Sequence, residues 1–176
     1  GELFDRIVQA VRFGENEAAV IIQHVLRAIF YMHERDVVHR DLKPENFLLA
    51  TTGPLIGNVL KLIDFGTARQ ARERTVMTTK AGTPYYVAPQ VLTRRYDRKC
   101  DLWSCGAIMY TLLCGSPPFT GASDAQIMSR VRQGKLHFKE AAWKSVSEEA
   151  QFLIRKLMRM NPNERFTAEQ ALNHEW

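Results

Sequence analysis

The chain has few cysteines and no long apolar segment. Its 176 residues include three cysteines, an odd number at positions that match no zinc-binding spacing. We therefore expect reduced thiols, in the cytoplasm or the nucleus, and neither a disulfide framework nor a zinc site. The most apolar stretch, Leu102 to Leu113, is interrupted by polar residues and is shorter than the roughly 20 apolar residues of a bilayer span. It predicts a buried core helix, and no membrane span.

The chain carries a small excess of positive charge and lacks repeats and linker segments. Lys and Arg number 24 against 19 Asp and Glu, a net charge of +5. The cations are scattered apart from Arg94, Arg95, Arg98 and Lys99, so we expect a solvated basic face and no nucleic-acid partner. The sequence contains no internal repeat, no linker and no acidic loop of calcium-ligand spacing. Its length and its 45% hydrophobic content predict a single globular domain.

Helical periodicity occupies most of the chain. Apolar residues repeat at helical spacing within residues 3–11, 18–32, 102–113, 125–131 and 150–158. Gly14 is the predicted N-cap of the second helix, and Thr167 can cap a last one, although Glu169 lies one position short of the capping-box site. Two short apolar runs, Asn46 to Leu49 and Val59 to Ile63, predict a hairpin. The expected fold is mainly α, a helical bundle around a buried central helix with one short β-hairpin.

The loop before the hairpin and the residues after it are rich in groups suited to phosphate chemistry. Residues 39–46 read His-Arg-Asp-Leu-Lys-Pro-Glu-Asn, and Asp-Phe-Gly follows at residues 64–66, eighteen positions after Asn46. Asp41 is a candidate base for a hydroxyl proton, and Lys43 offers a flexible point charge to a moving phosphate oxygen. Asn46 and Asp64 supply the hard oxygen ligands that Mg²⁺ takes beside nucleotide phosphates. Taken singly, each could instead be a solvated surface or turn residue.

Together these motifs resemble the catalytic loop and the metal-binding motif of eukaryotic protein kinases. The resemblance implies Asp41 as the catalytic base, Lys43 on the transferring phosphate, two Mg²⁺ ions at Asn46 and Asp64, and ATP as the phosphoryl donor. The Asp-Leu-Lys arrangement is similar to that of kinases acting on serine and threonine, so we expect protein substrates with those hydroxyls. Remaining members of the two motifs are expected to be structural: His39, Phe65 and Gly66.

Further matches to the family follow down the chain. Residues 81–88 resemble the segment that binds the substrate, in which Thr83 is expected to hydrogen-bond Asp41 and Lys43. Asp101, at the start of the central helix, resembles the aspartate that holds the catalytic loop's backbone. Thr78 and Thr79 lie in the region of the activation segment, and a phosphate on Thr79 could pair with Arg40. An unmodified threonine is the alternative.

One position departs from the family pattern. Residues 88–90 read Ala-Pro-Gln, where relatives have Ala-Pro-Glu. In relatives that glutamate pairs with an arginine that matches Arg165. Gln90 can still form a hydrogen bond but carries no charge. We therefore expect Arg165 to lack its counter-ion at a cost of about a few kcal/mol, which weakens the substrate-binding segment without touching the catalytic groups.

Residues 1–7, 31–33 and 168–176 resemble the calcium-dependent protein kinases, within the wider calmodulin-dependent group. Such kinases carry a calcium-sensing domain after the catalytic lobe, which we expect outside this chain. Glu2 and Glu45 match acids that contact substrate arginines in basophilic relatives, which predicts arginine three residues before the target. Both could instead be ordinary surface carboxylates. Glu2, Glu45, Asn46, Leu48 and Asp64 make up the predicted set of ligand-binding residues.

The resemblance covers all 176 residues but only the larger, C-terminal lobe of a kinase. The smaller lobe's glycine-rich loop, its phosphate-binding lysine and its helix glutamate have no counterpart in the sequence. We therefore expect this polypeptide alone to bind ATP poorly and to transfer phosphate negligibly, while its full-length parent is active. A non-catalytic scaffold with the kinase fold and an inert fragment are the alternatives.

Overall fold

The computed structural model describes residues 1–72, 75–139 and 141–176. Within them the protein is mainly helical, as predicted. The α-helices are α1 Leu3–Ala10, α2 Glu15–His33, α3 Pro89–Leu92, α4 Cys100–Cys114, α5 Asp124–Gln133, α6 Glu148–Leu157 and α7 Ala168–Leu172. Short 3-10 helices cover Pro44–Asn46, Ala141–Ser145 and Pro162–Glu164.

Two short antiparallel ladders accompany the helices. The predicted hairpin is confirmed as β2 Phe47–Leu49 paired with β3 Leu60–Leu62, with Phe47 opposite Leu62. The expectation of one hairpin was incomplete, because β1 Val37–Val38 also pairs with β4 Arg69–Gln70. Strands of two residues are too short to produce a sequence alternation, so this second ladder left no periodic signal.

Helix α4 forms the centre of the molecule. Every residue from Cys100 to Leu113 is buried, including the polar Asp101, Ser104 and Thr111. Helices α2 and α6 pack against it. The approach of α6 requires a glycine, because a Cβ built on Gly106 would lie 2.5 Å from the Cγ of Met158. The buried central helix predicted from residues 102–113 is therefore confirmed, with two further residues at its start and one at its end.

Two helices begin at the N-cap residues that the sequence indicated. Gly14 is the N-cap of α2, as predicted. The capping box of α7 is complete, contrary to the expectation from Glu169. Gln170 Oε1 accepts from the backbone nitrogen of Thr167 (2.9 Å), and Thr167 Oγ1 accepts from that of Gln170 (3.1 Å). Glutamine serves as well as glutamate at the third helical position, so the search for an acid missed it.

The described residues contain no helix that is both long and apolar enough to cross a bilayer. The cysteines are free thiols. Cys100 and Cys105 are buried, and burial raises the pKa of both thiols above the usual value. A protonated, buried thiol is a poor nucleophile and a poor metal ligand, so these two cysteines have a packing role.

Candidate active site

The loop of residues 39–46 is attached to the central helix through Asp101. Its carboxylate accepts from the backbone nitrogen of His39 (3.0 Å) and from that of Arg40 (2.9 Å). Its Oδ2 also lies 3.0 Å from His33 Nε2. Burial alone would raise the pKa of this carboxyl, but His33 and the two backbone donors outweigh it, and the pKa lies below its usual value. A charged Asp101 thus holds the start of the loop against α4.

Two polar side chains meet the carboxylate of Asp41. Thr83 Oγ1 donates to Asp41 Oδ1 (2.9 Å), and Lys43 Nζ lies 3.3 Å from Asp41 Oδ2. Lys43 Nζ also donates to Thr83 Oγ1 (3.4 Å). The two contacts of Thr83 are those that the family resemblance led us to expect, whereas the contact of Lys43 with Asp41 was not expected. The carboxylate is half-buried and held from both sides, so it has a defined direction in which to accept a proton.

Asn46 and Asp64 lie at adjoining ends of the hairpin. The backbone nitrogen of Ile63, next to Asp64, donates to the carbonyl oxygen of Asn46 (2.8 Å). Asn46 is buried, and its Nδ2 donates to the carbonyl oxygen of Asp41 (2.8 Å). Asp64 is exposed, has a positive φ of 60°, and accepts from the backbone nitrogen of Gly66 (3.2 Å).

This donor set suits Mg²⁺, which prefers carboxylate and amide oxygens. Because Nδ2 of Asn46 donates to the Asp41 carbonyl oxygen, the side-chain oxygen Oδ1 is the atom that Asn46 can offer to a metal. The described part of the chain has no group of three or more His, Cys, Asp and Glu that could enclose a metal. A metal held by Asn46 and Asp64 would therefore need further ligands, such as phosphate oxygens and water.

His39 and Phe65 pack behind these polar groups. His39 is fully buried, its Nε2 lies 3.2 Å from the carbonyl oxygen of Ile63, and its ring meets the Phe65 ring edge-on at 5.3 Å. Its carbonyl oxygen accepts from Thr67 Oγ1 (2.9 Å). Phe65 is half exposed. His39 therefore links the loop of residues 39–46 to the segment that carries Asp64.

The guanidinium of Arg40 binds the segment that follows Asp64. It donates to the carbonyl oxygen of Thr67 (2.6 Å), to Thr79 Oγ1 (2.6 Å) and to the Tyr96 hydroxyl (3.3 Å). Thr78 is exposed and forms no side-chain hydrogen bond with the described residues. Of the two predicted threonines, Thr79 is thus the one that contacts Arg40. Sequence reasoning missed Tyr96, because an aromatic residue before a helix carries no signal of such a contact.

Arg165 is buried beside Gln90 of α3, with neutral hydrogen-bond partners. It is 1% exposed and donates to Gln90 Oε1 (3.2 Å), to the carbonyl oxygen of Lys99 (2.7 Å) and to that of Arg159 (2.7 and 3.1 Å). Gln90 Nε2 in turn donates to the carbonyl oxygen of Met160 (2.6 Å). Burial lowers the pKa of Arg165 to about 10. The described residues offer it no carboxylate within ion-pair distance.

The remaining predicted ligand-binding residues lie on and beside the hairpin. Glu45 Oε2 is buried and has no hydrogen-bond partner among the described residues. The pKa of Tyr86 is raised, first by its burial and then by the charge of Glu45. Glu2 is exposed and forms a β-bridge with Leu48, which lies on the face of β2 opposite to its neighbours.

Comparison with known proteins identifies the class. The model of the protein kinase domain matches residues 1–176, so the chain belongs to the protein kinase family. The chain is 47% identical to calcium-dependent protein kinase 3 of Plasmodium berghei (strain Anka), over 100% of its length and 32% of the relative's. It is also 47% identical to calcium-dependent protein kinase 4 of Plasmodium falciparum (isolate 3D7), over 100% of its length and 33% of the relative's.

The chain is 41% identical to calcium-dependent protein kinase 5 of the same Plasmodium falciparum isolate, over 100% of its length and 31% of the relative's. The resemblance to the calcium-dependent protein kinases, first drawn from short motifs, is confirmed. The chain spans about a third of the length of these curated relatives.

Proposed function

We propose that the protein containing this chain is a serine/threonine protein kinase, which transfers the γ-phosphoryl group of ATP to hydroxyls of protein substrates. The observation that carries this proposal is the contact of Asp41 with Thr83 and Lys43, beside an Asn46 whose side chain is tied to the Asp41 backbone. Phosphoryl transfer needs little protein chemistry beyond positioning and charge stabilisation, and this cluster supplies both.

Each member of the cluster has a distinct task. Asp41 orients the substrate hydroxyl and takes its proton late in the reaction, and Thr83 fixes the carboxylate by donating to Oδ1. Lys43 lies 3.3 Å from Asp41 Oδ2 and can extend its charge to the transferring phosphoryl oxygens. Asn46 and Asp64 would hold Mg²⁺, which neutralises charge on the nucleotide phosphates when it is bound.

The test is phosphate transfer from labelled ATP to serine, threonine and tyrosine peptides by the full-length protein. Asp41→Asn should lower kcat by at least about a hundredfold, the scale of a lost general base. The matched control Asp5→Asn, which changes an exposed acid on α1, should leave kcat unchanged. Equal, measurable rates for the Asp41 variant and the wild type would reject Asp41 as the base. No transfer by the wild type itself would reject the enzymatic proposal and favour a scaffold with the kinase fold.

The unpartnered oxygen of Glu45 supports a preference for basic substrates. A buried carboxylate oxygen without a donor is costly, and a substrate guanidinium would supply that donor. The neutral Thr111 stands where some relatives place a further acid, which weakens the case for arginine two residues before the target hydroxyl. We therefore propose that Glu45, with Glu2, selects arginine three residues before the target hydroxyl.

Two peptides that differ only at that position measure the preference. We expect kcat/KM to be about tenfold higher or more for arginine than for alanine, and Glu45→Gln to remove most of the difference. Glu34→Gln, at an exposed acid after α2, is the control and should retain it. Equal kcat/KM values for the two peptides in the wild type would contradict basophilic selection.

We also propose that the 176-residue chain is the larger lobe of the kinase and needs a smaller lobe to form a complete nucleotide site. Two observations support this proposal. The sequence contains no glycine-rich loop, and the chain spans only about a third of the length of each relative. Isolated, it should transfer phosphate at less than about a hundredth of the full-length rate. A comparable rate for the isolated chain would show that these residues suffice.

The names of the similar proteins support regulation by calcium. We propose that calcium acts through residues outside this chain, since no acidic loop of calcium-ligand spacing occurs within it. Phosphorylation of the full-length protein should then rise when calcium is added to chelator-treated enzyme. The same rate with calcium and with excess chelator would contradict this proposal.

A further inference from the structure

Tyr96 is buried, yet its hydroxyl reaches the region of Asp41. The residue is 4% exposed. Its hydroxyl donates to the carbonyl oxygen of Thr79 (2.7 Å) and accepts from Arg40 Nη1 (3.3 Å). Arg40 directly precedes Asp41, so one phenol oxygen joins the residue beside the proposed base to the segment of residues 75–83, here called the activation segment.

The backbone of Tyr96 holds the same segment at a second point. Met77 and Tyr96 form an antiparallel bridge. The backbone nitrogen of Met77 donates to the carbonyl oxygen of Tyr96 (2.7 Å), and the backbone nitrogen of Tyr96 donates to the carbonyl oxygen of Met77 (3.2 Å). Met77 is also buried. The activation segment is therefore attached at residues 77 and 79, just before Thr83 and its contact with Asp41.

Both attachments lead to the same rigid element. Tyr96 lies four positions before the start of α4, the buried central helix. Asp101 in the first turn of α4 holds the backbone nitrogens of His39 and Arg40. The activation segment and the loop of residues 39–46 are thus fixed to one helix end, and a shift of either relative to the other would break these bonds.

We propose that Tyr96 is a positioning residue whose hydroxyl keeps Thr83 and the rest of the activation segment in register with Asp41. The inference rests on the proposed kinase function and extends it. Arg40 already has the carbonyl of Thr67, the Thr79 hydroxyl and the Tyr96 hydroxyl as acceptors, so the segment is ordered around an unmodified Thr79. A phosphate on Thr79 would add charge to a link that Tyr96 already makes.

The test is Tyr96→Phe in the full-length protein, which removes the hydroxyl and keeps the buried ring. The activation segment should leave its bound position more often, so peptide KM should rise about tenfold, equivalent to 1.4 kcal/mol, with kcat little changed. Tyr110→Phe is the matched control. Tyr110 is also buried, and its hydroxyl donates to the carbonyl oxygen of His137 (2.8 Å) away from the activation segment. This variant should keep the wild-type KM, whatever its loss of melting temperature.

A rescue separates positioning from a general packing effect. Thr79→Glu in the Tyr96→Phe background introduces a carboxylate for Arg40, and should recover most of the lost kcat/KM without restoring the phenol. A purely structural defect would not respond to this charge. Tyr96→Phe with an unchanged peptide KM, or a KM defect that the added carboxylate leaves untouched, would overturn the proposal.

Hydrogen exchange distinguishes failure of this inference from failure of the proposed function. In Tyr96→Phe the backbone amides of residues 75–80 should exchange about tenfold faster, and in Tyr110→Phe they should not. If the wild type transfers no phosphate but Tyr96→Phe still shows the faster exchange, the positioning role is kept and the kinase function is rejected. Normal turnover with unchanged exchange in the Tyr96 variant would keep the kinase function and reject the positioning role.

Discussion

Replacing Gln90 with glutamate would give the buried Arg165 a charged partner. The guanidinium is 1% exposed, and its Nη2 donates to Gln90 Oε1 at 3.2 Å. Its pKa falls from the usual 12.5 to about 10 because burial disfavours the charged form. At 1.36 kcal/mol for each pKa unit, this decrease corresponds to a folding cost of about 3 kcal/mol at neutral pH. That value is the upper bound for what Gln90→Glu can recover.

The gain is reduced by a contact that only an amide can make. Gln90 Nε2 donates to the carbonyl oxygen of Met160 (2.6 Å), where a carboxylate would present a second oxygen. Losing this donor costs about 1 to 2 kcal/mol. We therefore expect Gln90→Glu to raise the free energy of unfolding by about 1 kcal/mol net, which corresponds to about 2 to 4 °C in melting temperature for a chain of this size.

Thermal unfolding at several pH values is the assay. The new carboxyl has its pKa lowered by Arg165, so its contribution is complete above the ordinary value of about 4.3 and is lost as the pH falls through the lowered pKa. The control Gln90→Met removes both hydrogen bonds with similar volume, and should lower the melting temperature. A decrease for Gln90→Glu at pH 7 would refute the reasoning, because the Met160 contact would then outweigh the missing charge.

Other predictions concern packing, charge and backbone conformation. Gly106→Ala should lower the free energy of unfolding by about 1 to 3 kcal/mol, because the added methyl group would clash with Met158. Gly14→Ala adds a methyl group in open space and should lower it less, so equal urea midpoints for the two variants would contradict this. The pKa of Asp101 is lowered in the folded protein, so its contribution to the free energy of unfolding is complete above about pH 4 and is lost as the pH falls through that lowered pKa. Asp101→Asn should therefore flatten the decrease of the free energy of unfolding at acid pH, and an unchanged decrease would contradict this. Val11 has a φ of 65°, a strained value for a β-branched residue, so Val11→Gly should raise the urea midpoint, and a decrease would argue against strain.

Elements with a strong local pattern could be predicted from sequence. Helix α4 is apolar on all sides because it is surrounded by protein, and this composition is visible without a structure. The hairpin that joins Asn46 to Asp64 was predictable because its strands are apolar and separated by turn residues. The kinase motifs predicted which polar groups would meet at Asp41, and the resulting contacts followed once the hairpin and α4 were in place.

Features that depend on distant contacts could not be predicted. The link from Tyr96 to Thr79 joins residues 17 positions apart through one hydroxyl, and a tyrosine before a helix has many other uses. The partners of Arg165 are mostly backbone carbonyl oxygens, which every residue has and which no motif identifies. Sequence reasoning recognised the missing charge at Gln90 but not the contact of this amide with Met160, which changes the expected size of the effect.

The most direct test measures turnover and Mg²⁺-dependent nucleotide affinity together in two variants of the full-length protein. Asp41→Asn should lose at least about a hundredfold in kcat while keeping its affinity for Mg²⁺-ATP, because the base does not hold the metal. Asp64→Asn should lose both, because a metal ligand is gone. Retention of Mg²⁺-ATP affinity by the Asp64 variant, or of turnover by the Asp41 variant, would contradict a shared phosphoryl-transfer site.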